Sequence, residues 1–491
     1  MIYSPSMNPA PPQARAGTLK ALRYLALAGV LLLAARAGVT ILREPCVGVA
    51  DNLDYWRVAR PAGIQVDPQP RQGSHVVCSY PLTTPDLKES LTSPSLLAWL
   101  VTLPQRGTDG GSLDLRRIGT VYWLASVAVL AAAFFAGVNV LPLLMIAWVV
   151  YDPGFLLFFN SLYADPALIV AQLATVLLLG LDPLDPRRVK ALALLVGAAA
   201  VAGFSKMQYS PFPAVLLGVC LLALVFHCRV PSRTQAGLLL VLLALAVAAP
   251  LHFVYGPAPR FLDANNYNAT FGGIARVAAD PAAALAALGI PEEHRGRKPK
   301  DYFAADSGPD DPVMPALRRL SRLRLLSLYL TDGTALSRTA QAVHADLGKV
   351  RTHPRGTFTR GEGGRPSRVF RTPEQFSLWR GRLLHRIPLW SLLLLGGVAA
   401  FLAARAVRSG RGRWTAGETV LLFLVLWSTS QFAVAVLGEG FVNLHQHLLG
   451  ARLGLDLLLV LVLCRLLLLV TRRDAPADAQ VGQGSAKLPG L

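Results

Sequence analysis

The chain has 491 residues, of which 53% are hydrophobic and only 16% are charged, and its formal net charge is +19. This balance excludes an ordinary soluble domain, in which about a quarter of the residues are charged. The positive charge does not indicate nucleic-acid binding either, because the arginines lie mostly between apolar segments and no nucleic-acid-binding motif accompanies them.

Apolar segments of membrane-spanning length recur along the chain. A spanning helix needs about 20 mostly apolar residues, and about ten segments qualify. The predicted spans are 23–42, 118–137, 139–157, 165–181, 189–205, 211–227, 236–255, 387–407, 416–437 and 448–470. The predicted fold class is therefore an all-α polytopic membrane protein with a large loop region on its extracytoplasmic side.

The flanking charges predict the orientation of these spans. Arg15, Lys20 and Arg23 precede the first span and no small-residue cleavage site follows it, which predicts an uncleaved signal-anchor with a cytoplasmic N-terminus. Alternation then places the chain's basic short loops and its C-terminus in the cytoplasm. The segments predicted to lie outside are 43–117, 158–164, 206–210, 256–386 and 438–447.

The spans divide the chain into five predicted parts. These are a cytoplasmic tail (1–22), a seven-helix membrane module (23–255), a large outer loop (256–386), a three-helix membrane module (387–470) and a second cytoplasmic tail (471–491). The outer loop is too long to be a simple connector. Its Gly/Arg-rich stretch, 351–371, suits anionic lipid headgroups or a phosphate-bearing substrate, or alternatively a mobile solvated loop.

Two of the five cysteines lie in the first outer loop. Cys46 and Cys78 meet oxidising conditions there, which allow a disulfide, although two free thiols remain the alternative. Cys220, Cys228 and Cys464 fall in spans or towards the cytoplasm.

The first polar cluster, DNLDYWR (51–57), follows the first span directly. Asp51, Asp54 and Arg57 are spaced i, i+3, so a helix would place them on one face. An acid pair at a membrane surface can serve as a general base, a metal ligand or a cation site. Alternatively, Asp51 is a helix N-cap and the arginine extends to the interface.

The second cluster, FFNSLYADP (158–166), joins the third and fourth predicted spans. Asn160, Ser161, Tyr163 and Asp165 form a short polar turn, and Pro166 suits the first turn of the next helix. Asp165 either caps that helix or supplies a second carboxylate facing the first cluster.

Two further clusters end later spans. In SKMQYSP (205–211), Lys206 and Gln208 either hold a phosphate or simply extend to the interface. In GEGFVNLHQH (438–447), Glu439, His445 and His447 precede the last span. The side chains of a His-x-His pair diverge on a helix, so no metal site is predicted there.

Two charged residues lie inside the last predicted span. Arg452 and Asp456 are four residues apart, and a structural ion pair is the expected arrangement. Walker A, GxGxxG and HExxH motifs are missing from fitting contexts, which argues against ATP-driven work and zinc proteolysis.

These features together resemble the membrane-embedded C-type (GT-C) glycosyltransferases. The family's acidic motif after helix one is matched by GVADNLDYWRVARPAGI (48–64), and its second polar-acidic motif by FFNSLYADPALIV (158–170). GEGFVNLHQHLLG (438–450) resembles a His-containing motif of bacterial glycan-biosynthesis hexosyltransferases. The chain departs from the family pattern, since two residues separate Asp51 from Asp54 and Glu439 stands in place of an aspartate.

The resemblance implies transfer of a sugar from a polyprenyl-phosphate carrier to a glycan or lipid acceptor at the outer face of the bacterial inner membrane. Asp54 is the expected base, with Asp51 as the alternative, and Asp165 assists or positions the acceptor. Arg57, Asn160, Tyr163, Lys206, Gln208, Glu439, His445 and His447 are the expected substrate-binding residues. Some relatives use a divalent metal and others do not, so metal dependence stays open. A lipid-linked glycan flippase and a non-catalytic subunit of envelope assembly are the alternative functions.

Overall fold

The structure is a computed structural model. It describes residues 12–51, 54–66, 75–86, 91–107, 110–227, 229–256, 259–296, 302, 308–348, 357, 376–384, 386–387, 389–409 and 414–473. The Gly/Arg-rich stretch 351–371, apart from Thr357, lies outside the described residues, as does Cys228.

The first half of the chain contains ten α-helices and one small two-stranded antiparallel sheet among the described residues. The helices are α1 (Pro12–Leu42), α2 (Trp56–Ala59), α3 (Ser93–Thr102), α4 (Leu115–Phe135), α5 (Val140–Val150), α6 (Pro153–Leu156), α7 (Asp165–Gly180), α8 (Val189–Gly203), α9 (Phe212–His227) and α10 (Arg233–Tyr255). Strands β1 (Ser79–Pro81) and β2 (Ser112–Asp114) pair with Tyr80 opposite Leu113.

The large loop region is mostly helical where the structure describes it. Its helices are α11 (Pro259–Tyr267), a π-helical segment (Asn268–Ile274), α12 (Ala275–Val277), α13 (Pro281–Ala287), α14 (Glu292–Arg295), α15 (Met314–Leu317), α16 (Arg322–Thr331), α17 (Gly333–Gly348) and α18 (Phe376–Leu384). The remaining helices are α19 (Trp390–Ser409), α20 (Ala416–Glu439), α21 (Leu444–His447) and α22 (Leu449–Arg473).

Six described helices are long and apolar enough to cross a membrane, or seven if a bent pair is one span. The bent pair is Val140–Val150 with Pro153–Phe159, at 58°. Helices α7 and α8 have 16 and 15 residues, which is about 24 Å and 23 Å of helix against a hydrocarbon core of about 30 Å. The protein is thus a multi-pass membrane protein, but the predicted count of ten spans is not confirmed.

The segment predicted as the third span, 139–157, is broken in the structure. Helix α5 ends at Val150, and Asp152 caps α6, accepting a hydrogen bond from the Gly154 amide at 2.7 Å, with Pro153 at the first helical position. The same carboxylate accepts the Ser377 amide at 2.9 Å. An aspartate–proline pair favours the start of a new helix over the continuation of the preceding one. Here the Asp152 carboxylate also binds the first turn of α18.

The charges inside α22 have a partner that the sequence did not reveal. Arg380 of α18 donates to both oxygens of Asp456, at 2.7 and 3.0 Å, whereas Arg452 lies 4.0 Å away. The predicted Arg452–Asp456 pair is therefore the weaker of two interactions. All three residues are buried, and loss of one partner would leave a buried charge unbalanced.

Two crosslinks fix the segment that follows α1. Cys46 and Cys78 form a disulfide with a Cα–Cα distance of 6.2 Å. The Asn160 amide donates to the carbonyls of Ile41 and Val47 at 2.9 and 2.8 Å. The first acidic motif is thus held against the turn that precedes α7.

Candidate active site

A cavity of about 300 Å³ lies where one end of several helices converges. Eight residues predicted from the sequence line it. They are Asp54, Arg57, Tyr163, Asp165, Lys206, Gln208, Glu439 and His447. The clusters come from the segment after α1, the start of α7, the turn after α8 and the junction of α20 with α21, so segments far apart in sequence build one site.

Asp54 enters the cavity from the turn that begins α2. Its Oδ1 lies 3.2 Å from Arg57 Nη2, and its Oδ2 accepts a hydrogen bond from Gln446 Nε2 at 2.8 Å. The side chain is 22% exposed, so the carboxylate is held by two elements and still open to a ligand.

The electrostatic surroundings keep Asp54 ionised. Burial alone would raise the pKa of this carboxyl, but the positive charges of Arg57 and Lys206, the Gln446 hydrogen bond and His447 outweigh burial and lower the pKa to about 2. Asp54 therefore carries a full negative charge across the physiological pH range.

Asp165, the first residue of α7, is the second aspartate of the cavity. Tyr209 Oη donates a hydrogen bond to Asp165 Oδ1, and Lys206 Nζ lies 4.0 Å from the same oxygen. The other oxygen, Oδ2, is buried without a hydrogen-bond partner among the described residues. Lys206 is itself 9% exposed, and a cation so nearly buried suits an anionic ligand.

The third group joins α20, α21 and the turn after α8. His447 Nε2 lies 2.7 Å from Glu439 Oε2, and His447 Nδ1 lies 3.0 Å from Gln208 Oε1. Gln208 Nε2 donates to the His447 carbonyl, and Gln431 Nε2 donates to the Gln208 carbonyl at 3.3 Å. The turn carrying Lys206 is thereby tied to the helix that carries Glu439.

Glycines explain how Glu439 reaches this position. Gly440 ends α20 with φ +61°, and a Cβ there would lie 2.6 Å from backbone atoms of Gly273 in the π-helical segment. The Phe441 amide donates to the Gly272 carbonyl at 3.1 Å. Only glycine allows this turn and this approach together, so the GEG sequence positions the carboxylate.

Three predicted residues do not line the cavity. Asp51 accepts a hydrogen bond from the Tyr55 amide at 3.1 Å, but it is not a helix N-cap, because the N-cap of α2 is Tyr55. Asn160 is buried and donates to the Ile41 and Val47 carbonyls, and His445 is half-buried and is not part of the cavity lining. Tyr163 does line the cavity, while its hydroxyl donates to the Ala50 carbonyl at 3.1 Å.

Sequence reasoning missed several polar residues, including Thr92 and Asn265 of the cavity lining, and one wall of the site. Gln446 and Tyr209 lie within the polar clusters found in the sequence, next to predicted site residues. Nothing in the sequence distinguished this amide and this phenol from ordinary polar residues. The missed wall is apolar and comes from α10 and α20. Its residues are Pro250, Phe253, Val254, Val434 and Ala435.

The described part of the chain contains no candidate metal site. There, no group of three or more His, Cys, Asp or Glu residues is placed to hold an ion. The carboxylates of the cavity are instead engaged by Arg57, Gln446, Tyr209 and His447.

The family model described as the YfdI N-terminal transmembrane domain matches residues 17–481. The chain belongs to this family. It is a family of GT-C-like membrane glycosyltransferases, so the resemblance drawn from the acidic motifs is confirmed.

A solved structure also aligns with the chain. It is the archaeal oligosaccharyltransferase AglB from Archaeoglobus fulgidus, in complex with an inhibitory peptide and a dolichol-phosphate, at 13% identity and a TM-score of 0.37. The alignment covers 92% of this chain and 52% of AglB, so the chain spans about half of that protein's length. No curated protein sequence matches the chain significantly.

Proposed function

We propose that this protein transfers a sugar from a polyprenyl-phosphate carrier to a cell-envelope glycan or lipid acceptor at the outer face of the bacterial inner membrane, with inversion at the anomeric carbon. The observation that carries the proposal is one cavity that combines an accessible, ionised Asp54, the nearly buried cation Lys206 and an apolar wall. A base, a phosphate site and a lipid-compatible surface are the three requirements of this reaction.

The apolar wall supports a lipid-linked donor. Phe253 and Val254 near the end of α10 line the cavity together with Val434 and Ala435 near the end of α20, and both helices are candidate membrane spans. Isoprene units next to the phosphate would bury apolar area there, at about 25 cal/mol per Å². A water-soluble nucleotide sugar would gain nothing from such a wall.

The phosphate would lie beside Lys206, and Arg57 would remain paired with Asp54. As the sugar–phosphate bond breaks, negative charge grows on the phosphate oxygens, and a fixed cation stabilises it. A phosphate leaves readily as an anion, so one base together with cations suffices and no acid catalyst is required.

Asp54 would accept the proton of the attacking acceptor hydroxyl. A carboxylate with a pKa of about 2 is a weak base towards a free alcohol. The hydroxyl becomes strongly acidic only once its oxygen has begun to bond to the anomeric carbon, so proton transfer late in the reaction fits this carboxylate. Asp165, whose Oδ2 has no hydrogen-bond partner among the described residues, would hold an acceptor or sugar hydroxyl.

The Cys46–Cys78 disulfide supports placing the cavity outside the cytoplasm, because structural disulfides form in oxidising compartments. With this end of the helices outside, we propose that both termini are cytoplasmic, together with the ten spans and the five-part division predicted from the sequence.

A deletion strain tests the proposal. Surface glycans and lipid-linked sugars are compared by mass spectrometry after complementation with wild type, Asp54→Asn or Asp280→Asn. Asp280 is an exposed N-cap of α13, where asparagine caps equally well. We expect the glycan to lack one sugar, the lipid-linked sugar to accumulate, and wild type and Asp280→Asn alone to restore the glycan.

Other outcomes would decide for the alternatives. Accumulation of whole lipid-linked glycans with no missing sugar would indicate a flippase. Restoration by Asp54→Asn with a complete glycan would remove Asp54 from the chemistry, and restoration by a variant lacking both Asp54 and Asp165 would indicate a non-catalytic subunit.

A further inference from the structure

Three helices meet at one buried carboxylate far from the cavity. Glu418, in the first turn of α20, is buried, and its Oε1 accepts hydrogen bonds from Arg405 Nε of α19 at 2.9 Å and from Arg465 Nη2 of α22 at 3.5 Å. Its Oε2 accepts the amide and the hydroxyl of Thr415, at 2.7 and 3.0 Å, within the capping box of α20. Arg405, Glu418 and Arg465 thus form an Arg–Glu–Arg triad.

The triad has an excess of one positive charge. Its two guanidiniums share a single carboxylate, and a guanidinium is not deprotonated in proteins. Both arginine side chains are 38% exposed although the glutamate is buried, so the excess charge is accessible at the surface of the helix bundle. Arg465 also lies over the Phe401 ring, 5.2 Å from its centroid, and this contact holds the guanidinium against α19. A ligand with one negative charge would neutralise the triad.

The position of the triad along α20 places it at the level of lipid headgroups. Glu439, at the other end of this candidate span, lines the cavity. The two glutamates are separated by about 32 Å along the helix, at a rise of about 1.5 Å per residue. The hydrocarbon core of a bilayer is about 30 Å thick. The triad therefore lies at the membrane surface opposite the cavity.

Exposed apolar side chains lie along α19 and α22 beside the two arginines. They are Phe401, Val407, Leu466, Leu467 and Leu469. Exposed apolar surface of this extent marks contact with a membrane or a partner protein, and on helices that cross a bilayer it contacts acyl chains. The excess positive charge is thus surrounded by a surface suited to a lipid.

We propose that the Arg–Glu–Arg triad binds the phosphodiester headgroup of an anionic phospholipid in the leaflet opposite the cavity. Guanidiniums bind phosphate oxygens through charge-assisted hydrogen bonds, and basic pockets between spanning helices bind anionic headgroups. The sequence RAVRSGRGR (405–413) adds three further arginines directly after the first arginine of the triad. The bound lipid stabilises the contact of α19 with α22 around α20, and this role does not depend on sugar transfer.

Lipid binding to the purified protein tests the proposal. Native mass spectrometry in a neutral detergent gives the Kd for phosphatidylglycerol and for phosphatidylcholine with the same acyl chains, and thermal unfolding measures the stabilisation by each lipid. We expect the wild type to bind phosphatidylglycerol more tightly and to be stabilised by it. Equal results for the two lipids would overturn the proposal. Equal stabilisation by inorganic phosphate would also overturn it and would indicate a site for a soluble anion.

Arg465→Gln and Arg229→Gln distinguish the triad from general surface charge. Arg229 follows α9, whose Phe226 stacks on Trp414 next to the start of α20, so both variants lose one positive charge at the same membrane surface. Arg229 is paired with Asp182 at 2.7 Å. One charge beside an anionic headgroup changes the Kd about fivefold, the equivalent of about 1 kcal/mol. We expect that loss in Arg465→Gln, and equal effects of the two variants would refute the site.

Glu418→Gln separates lipid binding from a purely structural role. Glutamine preserves the capping box with Thr415, but the site gains one net positive charge. We expect Glu418→Gln to bind phosphatidylglycerol about fivefold more tightly, while its melting temperature without lipid falls because the two arginines repel each other. A triad with only a structural role would lose melting temperature without any gain in lipid affinity. That result would overturn the proposal, whether or not Arg465→Gln folds.

Discussion

Gln446 Nε2 donates a 2.8 Å hydrogen bond to Asp54 Oδ2 across a sequence separation of 392 residues. The contact joins the segment after the first helix to the short helix before the last one. The proposed base is therefore positioned only when both ends of the chain have folded together. A fragment lacking α20 to α22 would retain the acidic motif without this partner.

Replacing Asp54 by asparagine should abolish most transfer while preserving the fold. General base catalysis contributes about 10²- to 10⁴-fold in rate, so we expect a loss of at least about 100-fold in single-turnover transfer from a lipid-linked sugar. Asn retains the volume and an acceptor for Gln446.

Asp51→Asn is the matched comparison. Asp51 bonds to the Tyr55 amide and does not line the cavity, so we expect its loss to lower the rate by less than about fivefold. The reverse order of effects would make Asp51 the base.

Arg57→Gln should introduce an acid limb into the pH–rate profile. The ionised form of Asp54 is the active one, and in the wild type its pKa of about 2 keeps it ionised until the pH falls through that value. Arg57 makes the largest contribution to lowering this pKa, so its loss raises the pKa of Asp54. As the pH is lowered, the rate of the variant should therefore begin to fall at a higher pH than that of the wild type. Initial rates from about pH 3 upwards, with circular dichroism to check folding, measure the shift. Superimposable profiles would show that Arg57 does not tune Asp54.

Lys206→Gln should weaken donor binding more than it slows other steps. A charge-assisted hydrogen bond contributes about 1.5–3 kcal/mol, which is about ten- to 100-fold in the Kd of a polyprenyl phosphate. Lys190→Gln provides the control, since Lys190 is exposed in the first turn of α8, whereas Lys206 lies in the turn after that helix. Unchanged affinity in Lys206→Gln, measured by calorimetry, would reassign the phosphate to Arg57 or another cation.

Gly440→Ala should destabilise the protein by about 2–4 kcal/mol and lower transfer. The new Cβ would meet the Gly273 backbone at 2.6 Å, at a residue with φ +61°, so conformational strain and overpacking add. Gly137→Ala separates the two effects, because Gly137 has φ +88° and open space around it. Thermal unfolding in detergent should show a cost of about 1 kcal/mol for Gly137→Ala. Equal costs would mean that the approach to Gly273 is easily relaxed.

Removal of both Cys46 and Cys78 should cost about 3–4 kcal/mol, the loop entropy expected for a crosslink that spans 32 residues. The double serine variant leaves no free thiol in this segment. Its melting temperature should fall, and a reductant should lower the wild-type value to match. A wild-type melting temperature insensitive to reductant would indicate free thiols.

Local signals in the sequence predicted much of this site. Asp165, which precedes Pro166, is the first residue of α7. The length of the apolar segments identified most of the candidate spans. Eight of the predicted polar residues line one cavity. Polar residues at the ends of apolar helices lie at the membrane surface, where the ends of several helices meet. Such clusters can therefore be recognised from the sequence alone.

Other features depended on tertiary contacts that no local pattern encodes. Asp456 pairs with Arg380, which lies 76 residues earlier, although Arg452 is one helical turn away. The break at Asp152 depends on Ser377 as well as on the local proline. The apolar wall from α10 and α20 looked like any lipid-facing surface. Spacing arguments find partners within one helix and not between helices.

The Asn160 crosslink has a consequence for how this sequence can vary. A Cβ at Gly119 would lie 1.8 Å from Asn160 Oδ1, and one at Gly48 would lie 2.2 Å from the Asn160 carbonyl oxygen. Residue 160 therefore restricts residue size at two distant positions, through its side-chain amide at 119 and through its backbone carbonyl at 48. Because only the first contact depends on the side chain, positions 119 and 160 should show strong epistasis. Alanine at 119 becomes tolerable only when residue 160 is shortened, and that change gives up the bonds to Ile41 and Val47. Neutral drift through this region thus has to pass through an intermediate in which the acidic motif has lost its tether.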